Sequence, residues 1–268
     1  MTIMSDKWIK SKSTNATHCL TMIIGRTYRD IYINEENSKY KCGFSFEEIY
    51  KISNETTQEK LHSLSKHFKA MPLIAEFREL NESERRKHSL INPFINQSFS
   101  IHEDGTKVPS YGLSSYGYDV RIGRNVKLFK NKVSNPNTII DICDFDNSLV
   151  DVLTDVDDFI IPPNGFALGV TVEHINMPRN FTATFMPKST ITRCGCIVHI
   201  TPIESEWSGY VTIEISNVTK LPMKIKTGIG IAQMLFHPGN EECEISYKDR
   251  KGKYMNQPNV PITAKQMD

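Results

Sequence analysis

The sequence predicts a mainly β chain, a sandwich or barrel, interrupted near its N-terminus by a mostly helical segment. Three observations carry this. After residue 90, short apolar runs alternate with turn signals. Before it, Phe46, Ile49, Tyr50, Leu61, Leu64 and Phe68 recur at roughly helical spacing among Glu, Lys and Gln. At 268 residues the chain can bury a sizeable core.

Taken in order, Thr21 to Ile33 is rich in Ile, Tyr and Thr and reads as a short hairpin. Phe46 to Phe77 reads as largely helical, with Ser45 and Glu48 as a capping box and Pro72 as a kink or stop. Asn81 to His88 is a polar connector. Strands follow at Asp119 to Phe129, Thr138 to Phe145, Phe159 to Ile161, Phe166 to Glu173 and Phe181 to Met186. Further strands are Ile197 to Thr201, Tyr210 to Ser216, Met223 to Ile225 and Gly230 to Phe236. Turns such as Pro162-Pro163-Asn164-Gly165 and His237-Pro238-Gly239 separate them. Lys248 to Asp268 is polar and reads as a tail without a core of its own.

Composition narrows the function classes. Lys plus Arg is 32 and Asp plus Glu 31, so bulk charge offers nothing to duplex nucleic acid. A small anionic ligand needs only a few placed cations. No apolar stretch reaches membrane-spanning length, and Met1 to Lys10 lacks an apolar h-region. The six cysteines are scattered, which suits a cytoplasmic protein using them as small core residues.

Two segments can carry chemistry. In Tyr210 to Asn217, strand alternation puts Val211, Ile213 and Ile215 on one face and Thr212, Glu214 and Ser216 on the other. Glu214 is then either a solvated strand residue, the commoner case, or a pocket carboxyl suited to general acid/base work. In Lys188-Ser189-Thr190-Ile191-Thr192-Arg193, one helical turn would bring Ser189 and Arg193 onto one face. That is either an ordinary N-cap or part of an anion site. The tail holds Tyr247, Lys248, Arg250, Lys251, Lys253, Tyr254 and Gln257, which is either a segment that folds over a phosphate chain or, the commoner case, a solvated tail. Zinc-dependent base deaminases need Pro-Cys-x-x-Cys, which is absent, since Cys194-Gly195-Cys196 is one residue short. There is no P-loop and no G-x-S-x-G elbow.

Together these segments resemble the bacterial dCTP deaminases of the dUTPase-like superfamily. The matches are Met4 to Ile9, Ile91 to Phe94, Tyr111 to Arg121, Pro187 to Gly195, Val198 to Gly209, Thr212 to Glu214, Ala232 to Phe236, and Ser246 to Tyr254. The resemblance implies a distorted β-barrel or jelly-roll subunit and a homotrimer with sites between subunits. It implies hydrolytic deamination of dCTP to dUTP and ammonia, feeding dUMP and thymidylate synthesis. Glu214 would be the general acid/base, with Ser189 and Arg193 completing the catalytic set. Lys188, Ser189, Thr190, Ile191, Thr192 and Arg193 would form the substrate loop. Thr212 and Ile213 would meet the pyrimidine through their backbone, and Glu204 would face the sugar, with Trp207 beside it. Gln233, Tyr247, Lys253 and Gln257 would hold the triphosphate. Mg²⁺ would ride on the triphosphate, with no zinc and no protein-held metal.

The resemblance divides the chain into residues 1–12, an insertion at 13–88, and the enzyme core at 89–268. The insertion is about 75 residues long, too many for a loop without structure of its own. The insertion is either a peripheral decoration or a module for an unknown partner. Alternatives for the core are a bifunctional enzyme that continues to dUMP, a deaminase of 5-modified dCTP, or a nucleotide-sensing protein.

Overall fold

The computed structural model describes residues 3–14, 89–133 and 135–265. The chain divides into two units, Met1–Ile9 with Pro93–Asp268, and Lys10–Asn92. The expected hairpin at 21–33 and the helix and capping box within 45–77 lie outside the described residues.

Helix α1 spans Asp6–Thr14 and strand β1 Ile91–Asn92. The larger unit then runs β2 (Ser98–Ile101), β3 (Lys107–Ser114), β4 (Gly117–Arg121), β5 (Val126–Phe129) and β6 (Val150–Leu153). It continues with β7 (Asp158–Ile161), β8 (Phe166–Asn176), β9 (Phe181–Pro187) and the short helix α2 (Ser189–Arg193). Last come β10 (Cys196–His199), β11 (Ser208–Asn217), β12 (Met223–Lys226) and β13 (Gly230–Pro238).

One sheet has the order β10-β11-β8-β5-β6 and the other β2-β3-β4-β13-β9, while β12 pairs with β7. The strand-to-strand ladders described among β2 to β13 are all antiparallel. The fold is mainly β as expected, but the described strands do not close a barrel. The chain passes between sheets instead. The single strand expected over Asp119 to Phe129 breaks after Arg121, where β4 leaves one sheet and β5 enters the other. Single bridges, Ile122 to Thr171 and Ala183 to Ile203, connect elsewhere without a continuous ladder.

The core follows from the alternation. Val211, Ile213 and Ile215 of β11 are buried, as are Ala167 and Val170 of β8 and Ile231, Met234 and Phe236 of β13. Trp8 of α1 lies 4.4 Å from the Phe181 ring and 5.5 Å from that of Phe236. A buried charge pair sits under the second sheet: Glu173, fully buried, accepts from Arg121 Nε at 2.8 Å and from the Arg121 backbone N–H at 2.9 Å. Removing one partner strands the other charge in a dry site. Glu173→Ala is therefore expected to lower the unfolding free energy by about 3–5 kcal/mol, read from the urea midpoint.

Two further expectations are corrected. Thr138 to Phe145 forms no strand, and Ile139 and Ile142 are each 81% exposed. Asn135 and Asp141 instead accept from the backbone N–H groups of Asn137 and Cys143, which holds the chain in turns. Residues 246–265 do not dangle. Gln257 forms a parallel bridge with Gly209, and Tyr210 N–H donates to the Gln257 carbonyl at 3.0 Å. Gln257, Pro261 and Thr263 are buried. Gly209 allows this approach with φ +149°, because any Cβ there would meet the Gln257 backbone.

Candidate functional site

The site grows from β11. Its register against β8 shifts between Tyr210 and Thr212, and Val211 N–H donates to Thr171 Oγ1 at 2.9 Å. Such a bulge twists the strand where its outward residues begin to line a cavity. Thr212, Glu214 and Ser216 are half-buried on the face opposite Val211, Ile213 and Ile215. Ile213 is fully buried opposite Gly169 of β8 and is not among the residues that line the cavity.

The cavity is roughly 710 Å³. Glu214, Thr212, Glu204, Trp207, Tyr247 and Gln257 line it, all of them residues singled out from the sequence. Phe129, Phe166 and Leu168 form an apolar wall beside them. Burial pushes the Glu214 carboxyl above the ordinary carboxylate range, with a backbone hydrogen bond and His199 pulling it partly back. His199 stands directly opposite Glu214 in the β10–β11 register. Glu214 Oε2 is buried without a hydrogen-bond partner among the described residues. A carboxylate oxygen in that state is costly unless a ligand or water meets it.

The tail closes one side of the cavity. Trp207 Nε1 donates to the Tyr254 carbonyl at 3.0 Å, and the Tyr247 hydroxyl accepts from Tyr254 N–H at 2.9 Å. Gln257 Nε2 donates to Thr212 Oγ1. Lys253 sits 5.2 Å from the Tyr254 ring centre, beside the cavity but not on its wall. Glu204 pairs with Arg250, whose guanidinium lies 5.1 Å from the centre of the Tyr247 ring.

The other expected residues lie elsewhere. Ser189, Thr190, Thr192 and Arg193 of α2 are exposed, Ile191 is half-buried, and none lines the cavity. Lys188, not Ser189, caps the helix: its carbonyl accepts from Ile191 and Thr192 N–H, without any side-chain cap. The Lys188 ammonium is held by Asp119 and by Ser110 Oγ. Gln233 Nε2 donates to Ser114 Oγ at 2.8 Å. These form a second polar cluster, on β3, β4, β13 and α2. Among the described residues the cavity wall carries two carboxylates, Glu204 and Glu214, and no Lys, Arg or His.

No group of three or more His, Cys, Asp or Glu side chains converges as a metal-ion site among the described residues. Cys194 is exposed and Cys196 buried, its thiol pushed up to about 11 by burial. No described helix is long and apolar enough to cross a membrane.

The model of the dCTP deaminase-like family matches residues 91–239. The chain is 48% identical over 186 residues to the dCTP deaminase of Acinetobacter baumannii strain AYE, covering 69% of this chain and 94% of that one. It is 50% identical over 178 residues to the dCTP deaminase of Pseudomonas fluorescens strain Pf0-1, covering 66% and 92%. The chain belongs to the dCTP deaminase-like family. A solved 2'-deoxycytidine 5'-triphosphate deaminase from Agrobacterium tumefaciens matches distantly, at 18% identity and a TM-score of 0.39 over 47% of this chain and 39% of that one.

The dCTP deaminase-like match stops at residue 239, yet the cavity continues past it through Tyr247, Tyr254, Gln257 and Ile262. Sequence reasoning missed Tyr254 as a wall residue, although the Tyr/Lys alternation of the tail was its signal. Phe129, Phe166 and Ile262 carried no signal beyond being apolar.

Proposed function

We propose that this chain hydrolyses dCTP to dUTP and ammonia, with Glu214 as the single proton-transfer residue. The observation that supports it most is the buried, unpartnered Glu214 Oε2 on the cavity wall. The Glu214 carboxylate takes a proton from water as the water oxygen bonds to C4 of the cytosine. It then returns that proton to the departing amine, the C4–N bond breaks and ammonia leaves, and the remaining hydroxyl proton passes to N3 to leave the C4 carbonyl. Cytosine plus water thus balances as uracil plus ammonia. The apolar wall of Phe129, Phe166 and Leu168 keeps bulk water from competing. Thr212 and the Ile213 backbone hold the base edge, Trp207 flanks it, and Glu204 faces the sugar. The product dUTP feeds dUMP formation.

A triphosphate carries several negative charges, and the cavity wall has no cation among the described residues of one chain. Arg193 and the hydroxyls of Ser189, Thr190 and Thr192 are exposed on α2, off that wall. This supports a site completed by a second copy, as in a closed homotrimer, with Ser189 and Arg193 of a neighbour reaching the Glu214 cavity. Arg193 and Ser189 then stabilise the charge that develops at C4. Lys188, Gln233, Tyr247, Lys253 and Gln257 hold the phosphates, with Mg²⁺ carried on them. Thr190, Ile191 and Thr192 shape the substrate loop.

The test is direct. Purified full-length chain, given dCTP and Mg²⁺, is expected to release ammonia and dUTP in equal amounts. Absence of ammonia overturns the reading, and release of diphosphate makes the enzyme bifunctional. The tail role is tested at Gly252, where an added Cβ would run into the Tyr247 ring. Gly252→Ala is expected to raise KM for dCTP about tenfold with kcat little changed, in steady-state assays.

A further inference from the structure

Three loops meet at one arginine outside the cavity. Arg179 follows β8, and its side chain is 13% exposed. Its Nη1 lies 2.6 Å from Glu206 Oε2 and 2.7 Å from Asp249 Oδ2, and its Nη2 donates to the Glu244 carbonyl at 2.8 Å. Its own carbonyl accepts from Ser205 Oγ. No sheet ladder holds these partners: Ser205 and Glu206 lie between β10 and β11, and Glu244 and Asp249 lie beyond β13.

We infer that Arg179 is a positioning residue, the joint that fixes Trp207 and Tyr247 on the cavity wall for the nucleotide. This rests on the deaminase reading above. On one side, Glu206 is buried and holds a left-handed backbone with φ +58°, unusual for a residue with a side chain. The guanidinium pins that carboxylate next to Trp207, whose carbonyl accepts from Met177 N–H at 2.9 Å. On the other side, Asp249 Oδ2 also accepts from Ser246 N–H at 3.0 Å, and Tyr247 N–H donates to the Ser205 carbonyl at 3.1 Å. The Asp249 carboxyl is held down at about 2, first by the Ser246 N–H and then by Arg179. One planar fork thus ties both wall segments to the end of β8. A lysine, a point charge with no fork, reaches only part of this set.

The experiment compares the full-length wild type with Arg179→Lys and Arg179→Met, measuring kcat and KM for dCTP and backbone amide exchange by mass spectrometry. Arg179→Met is expected to raise KM by about tenfold or more while kcat stays within about threefold. Exchange is expected to quicken over 204–207 and 242–250 and to stay unchanged across β8, β11 and β13. Arg179→Lys falls between the two. An unchanged KM overturns the inference, and so does exchange that quickens throughout both sheets or a lysine variant no better than the methionine one. If Arg179→Met does not accumulate as folded protein, Asp249→Asn makes the same test from the tail side, with the same outcomes. A wild type that folds but releases no ammonia overturns the deaminase reading instead. The joint itself is then judged by exchange alone, and unchanged exchange over 242–250 overturns it.

Discussion

Glu214→Gln is expected to lower kcat for dCTP deamination by about 10²–10⁴-fold while leaving nucleotide binding nearly intact. The amide keeps the shape of the side chain but cannot take a proton from water. Two pH effects follow from the burial that raises this carboxyl. As a base it must begin ionised, so wild-type kcat/KM falls on the acid side, with an inflection above the ordinary carboxylate range. Stability runs the other way. A raised folded-state pKa means the folded chain holds the proton more tightly than the unfolded one. Glu214 therefore costs stability as pH rises from the ordinary carboxylate value through its own. Glu214→Gln removes that cost. The variant is expected to melt above wild type at neutral pH, with the difference closing as pH falls below the ordinary carboxylate range. Equal activity of variant and wild type would remove Glu214 from the mechanism. A melting temperature below wild type at neutral pH would contradict the buried, unpaired carboxylate.

Mixing two dead variants is expected to restore activity. Arg193→Gln retains the Glu214 cavity, and Glu214→Gln retains the α2 face. If each site takes one face from each of two neighbouring copies, random assembly of equal amounts leaves roughly one site in four with both faces intact. The mixture, denatured and refolded together, should then recover roughly a quarter of wild-type turnover. Sites contained within one chain would recover nothing. The result depends on where the structure puts Arg193: exposed on α2, off the cavity wall, with no ion pair among the described residues.

Much of the core was legible in the sequence because its signals are local. Alternation along Tyr210 to Ser216 assigned the two faces of β11 correctly, since a strand's period of two needs no knowledge of its neighbours. Phe159 to Ile161, Phe166 to Glu173, Phe181 to Met186 and Gly230 to Phe236 all fall on observed strands. Strand β3 was missed because Pro109 and Gly112 lie within it, and both residues argue against a strand interior. Its pairing with β2 and β4 overrides them. Thr138 to Phe145 erred in the opposite direction. Its three isoleucines look like a strand, but no strand among the described residues pairs with it, and Asx turns at Asn135 and Asp141 hold the backbone before and within it.

The sequence by itself singled out residues that the fold brings to one cavity. Glu214, Thr212, Glu204, Trp207, Tyr247 and Gln257 stand out in the sequence, and they line one cavity. It also determined the family, through an ordered set of motifs. What only the tertiary structure decided is how those residues are divided. It put Glu214 on a cavity wall that carries no cation among the described residues, and left Arg193 exposed and off that wall. It folded the polar tail back onto β11, and it placed Arg179, which no motif marks, at the junction of three loops. The physical reason is range. Side-chain alternation and turn chemistry act over a few residues, whereas strand order, sheet switching and ion pairs such as Arg179 with Asp249 join residues far apart in the chain.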